Sequence, residues 1–178
     1  MSGVSLEELR LIEATVGWKD TDAAVLRHYE RIFDRHAEAM VDSWRAVIAS
    51  QPHLAQWFFG PDGRPDEAYK AKVRVRFVQW VRDVARRPHD AEWLAYQDEI
   101  GLRHTPAKKN VTDGANTPPL VPLRYLLAFT SVTVIATREF FAKEVEDAKE
   151  LRRLEDAWTR AVLLHITLWS RAYAGNLW

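Results

Sequence analysis

Apolar residues recur at intervals of three and four along almost the whole chain, and no stretch alternates as a half-buried strand does. That periodicity commits the chain to packed helices. The first stripe is Leu6, Leu9 and Ile12, opened by Ser5 and Glu8 in a capping-box pattern and closed by Gly17. The second reads Val25, Tyr29, Ile32/Phe33, His36, Met40, Trp44 and Val47/Ile48, from about 22 to 50. It is long for a globular helix, so it bends or divides into two helices in near continuity. Leu54, Trp57 and Phe58 make a short apolar turn before GPDGRP breaks the chain. Tyr69, Val73, Phe77, Trp80 and Val84 form the next stripe, which stops at Arg86-Arg87-Pro88.

Asp90 caps a helix with the inner face Trp93, Tyr96/Gln97, Ile100 and His104. Residues 105–119 read as loop. One long helix starts near Pro122 and runs to about 145. The last carries Leu151, Leu154, Trp158, Val162, His165, Trp169 and Tyr173. The breaks are too many and the lengths too unequal for a plain four-helix bundle, and globin-like pairwise packing fits better. We expect one all-α domain of seven or eight helices over residues 1–178, with no repeat and no linker.

Composition removes several function classes. Lysine plus arginine and aspartate plus glutamate are both 25, so no global charge favours nucleic acid or an anionic membrane. The longest uncharged run, Tyr125 to Thr137, is 13 residues, which suits a buried helix better than a membrane span. With no cysteine, disulfides, thiolate catalysis and cysteine-ligated metals are excluded. The N-terminus lacks a basic segment followed by an apolar one, which points to a cytoplasmic protein. Nucleotide-binding, zinc-protease and serine-hydrolase motifs are missing. Glu92, Asp98, Glu99, Glu144, Glu146 and Asp147 stand among lysines and arginines and read as solvated faces.

The histidines divide into two sets. His28, His53 and His89 lie off the stripes or near breaks, and we expect them exposed. His36, His104 and His165 lie on apolar stripes, where a histidine is ordinarily a hydrogen-bonded core residue. His104 differs because it ends its helix beside Thr105-Pro106, where the backbone can turn away and leave the imidazole facing a cavity. Neutral imidazole is an axial ligand for haem iron.

Several segments, in order, resemble the protoglobins, single-domain relatives of the globin-coupled sensors. They are DSWRAVIAS, HLAQWFFGPDGRP, RVRFVQW, EWLAYQDEIGLRH, KKNVTDG, VPLRYLLAF and AWTRAVLLHITLWSRAY. The resemblance runs from about Ser5 to Tyr173. It implies a globin-like fold with an extra N-terminal helix. It also implies haem b held by His104 as proximal ligand, with dioxygen, carbon monoxide or nitric oxide at the open iron position, in a carrier or sensor. His165 is the next candidate ligand.

By the same resemblance Trp44 and Arg45 form the distal pair and Phe77 lies over the distal face. Ile48, Phe58, Val73, Leu126 and Phe129 line the rest of the pocket. Arg76 is either a propionate partner or an ordinary exposed arginine. The family usually has tyrosine where Arg45 stands. The chain begins close to the family's first helix, which implies a shorter N-terminal extension and a more exposed haem edge. The family commonly pairs through its last two long helices, so a homodimer is expected, with Trp178 as one exposed aromatic. A separate partner would carry any signalling output. The runner-up function is a haem enzyme with peroxidase-like, nitric oxide or nitrite turnover. A cofactor-free helical core is the plainest alternative.

Overall fold

The computed structural model describes residues 3–175; Trp178 lies outside them. Among the described residues there are eight α-helices and no strand. They are α1 (Leu6–Val16), α2 (Asp20–His28), α3 (Glu30–Ser50), α4 (Pro52–Ala55), α5 (Glu67–Arg86), α6 (Ala91–Leu102), α7 (Leu123–Ala142) and α8 (Ala148–Ala174). A single 3-10 turn, Gln56–Phe58, follows α4.

Local chemistry sets the boundaries. Ser5 and Glu8 close the expected capping box on α1, and Gly17 ends it at φ 73°, a left-handed conformation that glycine takes without strain. The side chains of Asp66, Asp90 and Asp147 accept backbone N–H groups at the starts of α5, α6 and α8. The long second stripe is two helices, divided at Tyr29 (φ −98°, ψ 18°). Its hydrophobic register continues across the break, so Val25, Leu26, Ile32 and Phe33 enter one core.

That core is centred on α8, which packs against α1, α2, α6 and α7, while α3 packs against α5 and α7. Phe33, Met40 and Trp44 of α3 meet Phe141 of α7 and Leu154 and Trp158 of α8, all fully buried. α7 is long and apolar enough to cross a membrane by length and composition alone, yet Thr133, Val134, Thr137, Phe140 and Phe141 bury one of its faces in the domain.

Some expectations need correction. His89 is not exposed. Its ring is sandwiched between Trp18 at 4.9 Å and Trp93 at 4.0 Å, and Nδ1 lies 2.7 Å from the buried Glu13 carboxylate. Asp98 and Glu99 are half-buried and ion-paired, with Arg171 and with Arg103 and Lys108 respectively. His36 sits at the edge of the core, with Nε2 2.7 Å from Glu144. α7 stops at Ala142, and the turn after it buries Val145.

Candidate functional site

α6 ends in a way that fixes His104. Its last turn opens at Arg103, and the His104 N–H donates to the Gly101 carbonyl at 3.1 Å. The His104 Nδ1 is 2.9 Å from the Ile100 carbonyl oxygen. A carbonyl only accepts, so Nδ1 carries the proton and Nε2 presents its lone pair. Burial, partly opposed by the Ile100 carbonyl and reinforced by Lys109, Arg103 and Arg76, pushes the imidazole pKa down to about 4. At neutral pH it is an uncharged donor.

The ring is held from α8 and by the returning loop. Trp169 stacks on it at 5.8 Å. Gly101 lets α8 come this close: a Cβ there would stand 3.0 Å from the Trp169 carbonyl oxygen. The Val121 N–H donates to the His104 carbonyl at 2.9 Å, so residues 105–119 leave and return at the same point. The Tyr173 hydroxyl, close to both, donates to the Val121 carbonyl at 2.7 Å.

His104 lines a cavity of about 220 Å³. α3 contributes Arg45 and Ile48, and the 3-10 turn contributes Phe58. From α5 come Val73, Arg76 and Phe77, and from α7 Leu126 and Phe129. These are the residues that the resemblance assigned to the pocket, with the exception of Trp44. Trp44 is fully buried one layer behind, its ring 5.2 Å from Phe77 and 6.3 Å from Trp158. Its indole N–H has no hydrogen-bond partner among the described residues.

Arg45 lines the cavity on two long contacts. Nη2 is 3.5 Å from the Lys70 carbonyl and Nη1 is 3.6 Å from Asp42. Arg76 is already matched, with its two terminal nitrogens donating to the two oxygens of Asp113 at 2.7 and 2.6 Å. That fork ties α5 to the 105–119 loop.

Several wall residues went unassigned from sequence. Trp80, Trp169 and Val162 stood on their stripes but were not assigned to the pocket. Tyr69 and Tyr96 also stood on stripes without being assigned to the pocket, and Lys109 gave no signal, because what faces a cavity from a loop depends on tertiary closure. His165 is off the wall. Its Nδ1 accepts from the Trp80 indole N–H at 2.8 Å. Burial holds its pKa well below the usual value, so it is neutral with the proton on Nε2 and has no lone pair to offer. Among the described residues, His104 is the single histidine on the wall.

No three histidine, aspartate or glutamate side chains gather to hold a metal among the described residues. His104 is thus suited to a metal that brings its own ligands, as in a macrocycle. The cavity can take a flat apolar group, offer one nitrogen ligand and present cations.

A family model described as Protoglobin matches residues 5–177. No curated protein matches the sequence. Among solved structures, the fold is similar to the globin domain of a Geobacter sulfurreducens globin-coupled sensor, with a TM-score of 0.71 and 16% identity over 96% of this chain and 98% of that one.

Proposed function

The chain belongs to the protoglobin family, and on that premise we propose that it is a cytoplasmic haem b protein that reversibly binds dioxygen, carbon monoxide or nitric oxide, as carrier or sensor. The single observation that carries the reading is His104, neutral, with its Nδ1 proton tied to Ile100 and its Nε2 free at an aromatic cavity.

The residues present fit the group. Phe58, Phe77, Phe129, Trp80 and Ile48 supply apolar walls, and the donor set is one imidazole in a chain with no other metal cluster among the described residues. Bound haem supplies the iron on which a small gas is held. The chain's own residues do the rest. The Ile100 carbonyl fixes the tautomer and raises the basicity of His104. Trp169 and Tyr173 keep the ring and its backbone in place. The aromatic walls exclude water, and Arg45, loosely held, is a cation that can reach a ligand that gains negative charge.

Enzymatic turnover of peroxide, nitric oxide or nitrite is the second reading, favoured by Arg45 at the cavity. It lacks a base there, because among the described residues His104 is the single wall histidine and His36 is held by Glu144. A homodimer through α7 and α8 completes the proposal; Leu127, Ile135 and Leu163 are exposed apolar residues on those helices.

The test is a visible absorption spectrum after haem is added to purified protein. A Soret band that shifts with carbon monoxide is expected. His104→Ala should lose it, and added imidazole should restore it. Protein that stays colourless ends the reading. Comparing peroxide turnover with reversible oxygen binding separates the two functions.

A further inference from the structure

Lys109 is a buried cation without a counter-ion. It is 2% exposed and lines the cavity. Nζ donates to the Trp57 carbonyl at 2.8 Å and to Thr117 Oγ1 at 2.6 Å, and it stands 4.9 Å from the centre of the Tyr69 ring. All three partners are neutral. No ion pair joins Lys109 to a carboxylate among the described residues, and burial alone pushes its pKa down to about 8. Buried charges are ordinarily paired, because an unpaired one forfeits its hydration.

The loop builds a socket for this amine. Thr117 spends its own proton on Asn110 Oδ1 at 2.9 Å, so its oxygen must accept from Lys109. Asn110 Nδ2 in turn donates to the Thr117 carbonyl at 2.6 Å. An ammonium has three N–H groups, and the carbonyl and hydroxyl take two. The other cations on the wall each have a carboxylate near them: Arg76 has Asp113, Arg103 shares Glu99 with Lys108, and Arg45 stands 3.6 Å from Asp42, which Arg74 holds more closely.

We propose that Lys109 binds a carboxylate carried by the ligand of this cavity. For haem, on whose binding this proposal rests, that carboxylate is a propionate. The role that the resemblance offered to Arg76 passes to Lys109, because the Arg76 fork is filled by Asp113.

Haem and haem dimethyl ester share iron and ring, and the ester has no carboxylates. The wild-type protein should bind haem about tenfold more tightly than the ester, the scale of one charge-assisted hydrogen bond. Lys109→Met should remove that preference while leaving ester affinity within about twofold. Lys109→Arg should keep it, and so should Arg76→Met. Equal binding of haem and ester by the wild type overturns the proposal without any variant, so a Lys109→Met protein that fails to fold leaves it testable. Equal weakening of both porphyrins in Lys109→Met also overturns it and makes the lysine a clasp between loop and turn. Loss of the preference in Arg76→Met instead returns the role to Arg76. A wild type that binds neither porphyrin defeats the haem reading itself, a different result from binding both alike.

Discussion

By the resemblance, Arg45 stands where the protoglobins usually carry a phenol, and its contacts motivate a prediction. It rests on the Lys70 carbonyl and near Asp42, and both contacts are long. Such a side chain can swing toward a ligand that gains negative charge at small cost, because little holds it back. Arg45→Leu should speed dioxygen release from the haem-loaded protein by about tenfold. Stopped-flow displacement by carbon monoxide measures it, and an unchanged rate means that Arg45 stays on those contacts. That His104 faces a cavity was legible in sequence, since it ends an apolar stripe beside a proline-bearing loop. Lys109 was not, because a charge is paired or unpaired only in three dimensions. His89 misled for the same reason: Pro88 suggests a surface turn, while Trp18, from 71 positions earlier, closes over the ring.

Among the elements, α6 and α8 form the contact on which His104 depends. Gly101 lies against Trp169 and Ala172, and an added Cβ would meet backbone atoms at 3.0 and 3.1 Å that cannot step aside. Gly101→Ala should therefore destabilise the protein by about 1–3 kcal/mol, as overpacking does. It should also weaken haem binding, because Trp169 is the ring that stacks on His104. Urea unfolding and haem titration measure the two effects, and a neutral result for both would mean that α8 can shift. Stripes and caps made most helices readable in advance. The break at Tyr29 carried no glycine or proline, so the sequence showed an overlong stripe without the residue at which it divides. Residues 105–119 read as loop but contain helical turns, for instance the Lys109 N–H donating to Thr105 at 2.9 Å. A small set of hydrogen bonds, rather than a hydrophobic period, holds that shape.

Across the whole molecule, three imidazoles held away from solvent, His165 fully and His89 and His104 in part, tie stability to pH. Burial lowers the pKa of His104 to about 4, that of His165 well below 6.5, and that of His89 as well, there against the pull of Glu13. The unfolded chain binds these protons near pH 6.5 and the folded chain does not, so protons favour unfolding in that window. The haem-free protein should be at full stability above about pH 6.5 and lose it as pH falls toward 4, by on the order of 3 kcal/mol from His104 alone. Thermal melts across that range check it, and a flat profile would show that the imidazoles gain new partners on protonation. The tryptophans carry one further consequence. Three of the eight, Trp57, Trp80 and Trp169, form part of the cavity wall, and Trp44 and Trp158 stand directly behind. An excited indole hands its energy to any nearby group that absorbs in the near ultraviolet. Entry of such a group should therefore quench the chain's own fluorescence, so a titration followed at the indole emission reads how much of the cavity is filled.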